Sequence, residues 1–302
     1  GKPSQSCGYW WPLGTIAFAY EAFPELAAIA AGMALKTGNG LLLKGSSESN
    51  HTNSTITEVL QEAIAETQLP GEILALLPAG ERLSILDLGG DGAIDLLIPY
   101  GRANWMQQSL QQAGVPVLKA AMGNCYLYWS AAGNLDLALS IVLDSHTNLP
   151  DPVNAIEKIL VDGDRKSSSI ATLWSELQER GFEIRGDEAL AAEFPDLKVA
   201  RTEEWGRAYL NKTIAFKQVE NIEFALAWAN RYSSGHADCI VTESYEESRK
   251  FALGSNSTSV YINTSPRFDR LSDDGSAVFL GTSDRGLIGL ESLMRVKQVI
   301  QG

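Results

Sequence analysis

Three cysteines (Cys7, Cys125, Cys239) and three histidines (His51, His146, His236) are the groups in this 302-residue chain best suited to nucleophilic or metal chemistry. A thiolate beside a base attacks acyl carbon, and Cys and His at short spacing hold zinc. The histidines stand far apart with no second ligand at such a spacing, so no metal site is expected. Asp144-Ser145-His146 has the residue types of a hydrolytic triad, but triads assemble in space and seldom along consecutive residues; a polar helix end is the expectation. Gly89-Gly90-Asp91-Gly92 has the glycine content of a phosphate-cradling loop, yet it precedes a strand and opens no helix, which leaves a turn. So few cysteines, odd in number, cannot complete a disulfide framework and fit a reducing compartment, so a cytoplasmic protein is expected.

Any such group must be positioned by the elements that the apolar pattern predicts. From Thr15 onward short β-type runs alternate with amphipathic segments, as a parallel sheet flanked by helices requires. Strands are predicted over 15–20, 41–44, 73–77, 94–98, 115–118, 125–129, 159–161, 214–218, 239–242 and 259–262. Helices are predicted over 25–36, from 55 to about 69, and over 105–112, 135–143, 170–180, 222–232 and 245–253. Gly38-Asn39-Gly40 ends the first helix, and Thr55 with Glu58 forms a capping box for the second. The pattern divides the chain near 130–133 into two similar lobes.

Composition narrows the partners. Lys and Arg number 24 against 37 Asp and Glu, a net charge of −13, which is the wrong sign for neutralising phosphate backbones; no nucleic-acid partner is expected. The most apolar stretch, 26–35, is much shorter than the roughly 18 residues of a bilayer-spanning helix, so no membrane partner is expected either.

Several strings, taken in order, resemble the γ-glutamyl phosphate reductase (glutamate-5-semialdehyde dehydrogenase) family of the aldehyde dehydrogenase superfamily. Pro12-Leu13-Gly14 with Tyr20-Glu21-Ala22-x-Pro24 is similar to P-L-G…Y-E-[AS]-R-P, and Leu35 to Gly40 with Leu43-Lys44-Gly45 to L-K-[ST]-G-N…[RK]-G-G. Ile94-Asp95-x-Leu97-Ile98-Pro99-x-Gly101 resembles I-D-x-[IL]-I-P-R-G, and Gly123-x-Cys125-x-x-Tyr128 resembles G-x-C-H-x-Y. Val219, Ala225, Tyr232 to His236 and Asp238 to Ile240 follow the family signature, and Arg285 to Glu291 completes the series. The resemblance implies an aldehyde-dehydrogenase-like α/β fold of two Rossmann-type lobes with mainly parallel sheets. The lobes are expected at 1–130 (nucleotide-binding type, without the family's N-terminal helices, as in a fragment or a reduced homologue) and 131–275 (catalytic type), with a C-terminal segment at 276–302.

The activity implied is NADPH-dependent reduction of L-glutamyl 5-phosphate to glutamate-5-semialdehyde in proline biosynthesis, through a cysteine thiolate. That cysteine lies in T-x-x-P-x-x-C-N, followed by a helix and E-[TK]-[IL]-L-V. Here the segment reads Thr147-Asn148-Leu149-Pro150-Asp151-Pro152-Val153-Asn154, then Glu157-Lys158-Ile159-Leu160-Val161, which puts Val153 at the nucleophile's position. Valine has no nucleophilic atom. Other departures are Phe23 and Tyr100 in place of arginines, Tyr126 in place of His, Ala208 in place of a Glu that in related dehydrogenases bonds the nicotinamide ribose, and a short 269–285 loop. The expectation is a homologue that has lost catalysis; the alternative is an active oxidoreductase of the proline pathway using another nucleophile or route.

By the same resemblance NADP is the expected cofactor, with Lys44 and Glu48 placed for the adenine ribose or its phosphate. A solvated lysine at a strand end is an equal reading for Lys44. Asn154 and the residue 153 N–H would remain as an anion-binding remnant at a helix start. A small-molecule ligand, and a homodimer or an assembly with an active relative, complete the expected partners.

Overall fold

The computed structural model describes residues 4–20, 25–45, 50–76, 93–101, 114–148 and 151–302. Phe23, Glu48, the glycines at 89–92 and the expected helix at 105–112 lie outside the described residues. The chain forms two compact units: Gly1–Ala120 with Arg270–Gly281 and Leu287–Gly302, and Ala121–Asp269 with Thr282–Gly286. The cut thus falls ahead of the expected 130, because the strand beginning at Cys125 pairs into the second unit's sheet. The C-terminal residues are no separate segment; most belong to the first unit.

In the first unit β1 (Gln5–Pro12) is followed by β2 (Thr15–Tyr20), α1 (Glu25–Thr37), β3 (Gly40–Lys44), α2 (Asn50–Ala65), β4 (Leu74–Leu76) and β5 (Leu96–Tyr100). The parallel sheet runs β4-β3-β2-β5. β2 and β5 are buried almost throughout, as expected of parallel strands covered on both faces. Asn39 ties α1 to the sheet: its side chain accepts from Gly14 N–H at 2.8 Å and donates to the Leu293 carbonyl at 2.8 Å. Gly14, at φ +129°, admits no side chain, since a Cβ there would stand 2.1 Å from the Asp95 carboxylate.

The second unit is one all-parallel sheet of seven strands. They are β6 (Cys125–Trp129), β7 (Ile156–Asp162), β8 (Glu183–Gly186), β9 (Lys198–Val199), β10 (Thr213–Val219), β11 (Asp238–Val241) and β12 (Val260–Ile262), in the order β12-β11-β6-β7-β10-β8-β9. Its helices are α3 (Leu135–Ser145), α4 (Ser167–Glu179), α5 (Glu188–Glu193), α6 (Ile222–Tyr232) and α7 (Tyr245–Gly254). Side chains alternate across the strands, so Leu127, Trp129, Ile159, Val161 and Val241 form one core layer while Tyr126, Tyr128, Leu160 and Ile240 form the other. Side-chain caps start four helices: Asn134 on α3, Asp187 on α5, Asn221 on α6 and Ser244 on α7.

One strand closes the first unit: β13 (Met294–Gln301) pairs antiparallel with β1 over eight residues, from Gln5 opposite Gln301 to Pro12 opposite Met294. Tyr9, Trp10, Val296 and Ile300 on this ribbon are exposed. Among the described residues no helix is long and apolar enough to cross a membrane.

Candidate functional site

Val153 lies at the N-terminal edge of the second unit's sheet, in a single turn closed by Ala155 N–H to the Pro152 carbonyl at 3.3 Å. The chain then enters β7 at Ile156, so no helix follows the Val153-Asn154 pair and the expected anion site at a helix start is absent. Only Ala155 separates Asn154 from the strand, and Ile156 to Val161 are mostly branched, aliphatic side chains suited to a buried β-strand. Val153 is 2% exposed. Its carbonyl meets His236 Nε2 at 2.7 Å, and Gly123 N–H reaches the Pro152 carbonyl at 2.8 Å. Asn154 is buried too; its amide donates to the Pro266 carbonyl at 2.7 Å, while its Oδ1 has no partner among the described residues.

A second thiol stands close by. Cys125 Sγ lies 3.3 Å from His236 Nε2, which superficially forms a Cys–His couple. The geometry argues against it. Bonding to the Val153 carbonyl requires a hydrogen on Nε2, so this nitrogen is a donor and cannot take the thiol's proton. Burial pushes the Cys125 thiol well up, Asp238 adding to the effect, and Cys125 is fully inaccessible. Burial also lowers His236 to about 4, which keeps the imidazole neutral. Cys239 is equally buried, and Cys7 is exposed on the β1 ribbon.

Two of the other departures, Tyr126 and Ala208, lie in the second unit. Tyr126 packs in the core and donates to the Trp205 carbonyl at 2.7 Å. Ala208 lies in the loop after Trp205; Lys158 Nζ grips the Arg207 carbonyl at 2.9 Å, and Glu157 accepts from Tyr209 N–H at 2.8 Å. Lys158 is buried, which lowers it to about 8.

In the first unit Lys44 ends β3 opposite Ala19 of β2, half-buried, at the C-terminal edge of the parallel strands. Ligands of open α/β sheets bind at this edge. Glu48 lies outside the described residues. Tyr100 ends β5 at the same edge, and Arg270 Nη2 donates to its hydroxyl at 2.5 Å. Folding thus brings a guanidinium against the Tyr100 hydroxyl from 170 residues away, a contact that no local motif reveals.

No family model matches the chain. Gamma-glutamyl phosphate reductase 2 of Synechocystis is 48% identical over 298 residues, 96% of this chain and 71% of that protein. Gamma-glutamyl phosphate reductase of Gloeobacter violaceus is 37% identical over 297 residues, again 96% and 71%. The crystal structure of the Thermotoga maritima gamma-glutamyl phosphate reductase superposes with a TM-score of 0.88 at 30% identity, covering 99% of this chain and 74% of that one. Betaine aldehyde dehydrogenase of Staphylococcus aureus, in complex with NAD+, matches with a TM-score of 0.75 at 15% identity over 99% and 69% of the chains, a likeness of fold alone. The fold is therefore aldehyde-dehydrogenase-like, and this chain belongs to the γ-glutamyl phosphate reductase family.

Proposed function

We propose that the chain is a γ-glutamyl phosphate reductase homologue that binds NADP but no longer turns over the family's acyl substrate. The observation that carries this reading is the site at 153: a buried valine in the nucleophile's place, with the nearest thiol, Cys125, inaccessible and facing a histidine nitrogen that is already a donor. Without a thiolate no acyl-enzyme forms, whatever else the site binds.

The residues fit the dinucleotide in part. Lys44, at a strand C-terminus, suits the adenine ribose or its phosphate; Glu48, expected beside it from the resemblance, lies outside the described residues. In the second unit Ala208, where the family has a Glu, offers no carboxylate to a ribose hydroxyl. When bound, NADP would supply hydride transfer; this chain's residues hold it without a nucleophile to use it. A cytoplasmic location, and a homodimer or an assembly with an active relative, go with this reading.

The test supplies pure protein with glutamate-5-semialdehyde, phosphate and NADP+ and follows NADPH formation. We expect no rate above a heat-inactivated control. A rate abolished by substitution in the 151–154 segment would end the reading.

A further inference from the structure

β6 and β7 pair with a break in register: Cys125 stands opposite Ile156 and Tyr126 opposite Lys158, which leaves Glu157 as the extra residue of a bulge. Bulges re-aim a side chain, often beside a functional site. Here the re-aimed carboxylate, fully buried, accepts three backbone N–H groups: Asn124 at 2.8 Å, Tyr209 at 2.8 Å and Leu210 at 2.7 Å. Asn124 (φ +52°) and Leu210 (φ +60°) are two of the three non-glycine residues with positive φ among the described residues. Gly123 has φ +56°, and a Cβ on it would stand 2.9 Å from Glu157 Oε1. A leucine in this region is strained and persists only where its surroundings over-determine it. Lys158 completes the clamp, with Nζ donating to Asn124 Oδ1 at 2.8 Å and to the Arg207 carbonyl at 2.9 Å.

We propose that Glu157 is the positioning residue of this site. It fixes the 207–210 loop and the Gly123-Asn124 turn to the strand that starts directly after Val153-Asn154. It touches no ligand itself. Ala208 sits between the carbonyl gripped by Lys158 and the two N–H groups gripped by Glu157, and having no polar side chain it can offer a ligand only its backbone. Backbone recognition depends wholly on such anchoring. The identity of the ligand rests on the reading above, in which the loop serves the nicotinamide half of NADP.

The test compares wild type with Glu157→Gln in the full chain. The amide places a donor where a carboxylate oxygen accepted, so at least one of the three N–H groups loses its partner. We expect amide exchange at Tyr209 and Leu210 to accelerate about tenfold while the amides of Leu160 and Phe216 in the sheet stay protected. We expect NADPH affinity to fall about tenfold with affinity for 2′,5′-ADP, which lacks the nicotinamide half, unchanged. Adding Leu210→Gly, which removes the strain that the carboxylate holds, should restore part of the NADPH affinity. If Glu157→Gln does not fold, Gly123→Ala displaces the same carboxylate and should give the same pattern. Unchanged loop exchange, exchange accelerated equally in the sheet, or equal loss of both nucleotides overturns the proposal. Wild type that binds no NADPH overturns the nucleotide reading instead, and loop exchange still decides the role of Glu157.

Discussion

In the proposed reading the decisive difference at position 153 is one side chain: a thiol is a nucleophile, and an isopropyl group is none. On the proposed reading restoring the thiol is not enough, because Val153 is 2% exposed and Ala208 still differs from the family pattern. We expect Val153→Cys to leave NADPH formation below about one hundredth of the rate of an active relative assayed in parallel; a comparable rate would show that the nucleophile alone was missing. Thiol accessibility gives a second residue-scale prediction. Under native conditions iodoacetamide should label Cys7 and spare Cys125 and Cys239, which react only on unfolding, as peptide mass spectrometry would report. His236 gives a third. Its folded value of about 4 lies below the ordinary 6.5, so it contributes stability that is full above pH 6.5 and is lost as pH falls toward 4. Relative to His236→Gln, which keeps a donor toward Val153, wild type should lose about 2–4 kcal/mol of unfolding free energy between pH 6.5 and 4. Parallel pH profiles would contradict the assignment. The placing of Val153 at the nucleophile's position rests on the intact motifs that flank it. Arg270 beside Tyr100 and Glu157 within its bulge were not legible in sequence, since one depends on distant residues meeting and the other on strand register.

Among the elements, the long apolar runs of β2, β6, β7 and β10 and the amphipathic helices α3, α6 and α7 declare themselves, since burial demands apolar side chains at fixed periods. The β8-α5-β9 unit does not. β8 has only four residues, Glu183-Ile184-Arg185-Gly186, and β9 only two, both exposed, so neither develops a pattern. β1 and β13 escape for a different reason: both faces of their ribbon are largely exposed, and apolar and polar residues mix on each. Packing at the start of α3 supplies an element-scale prediction. A Cβ at Gly133 would stand 2.4 Å from the Val241 carbonyl and 3.0 Å from Trp129, so Gly133→Ala should cost about 2–3 kcal/mol. Urea denaturation would register it as a lower midpoint at an unchanged slope; an unaltered midpoint would mean that the α3 entry yields easily.

For the whole molecule, the two-lobed α/β fold was legible from periodicity and motif order, whereas the return of the C-terminal residues to the first unit was not, because long-range strand pairing leaves no local trace. If the fold is kept without the nucleophile, as proposed, the chain should still respond to the proposed nucleotide. At a hundredfold excess over Kd, NADP+ should stabilise the folded state by roughly 2.7 kcal/mol, visible as a raised Tm. Lys44→Ala should shrink that shift, and an equal shift in wild type and variant would move the nucleotide away from Lys44.

Whether any residue of this chain serves as the acyl-accepting nucleophile is decided by incubating the full chain with glutamate-5-semialdehyde and NADP+ in the absence of phosphate. An active thiol would be oxidatively acylated and, with no phosphate to release the acyl group, would yield an equimolar burst of NADPH and a matching mass increase on one cysteine peptide. Neither burst nor adduct is expected. A burst with an acyl group on Cys125, Cys239 or Cys7 would contradict the proposed loss of catalysis.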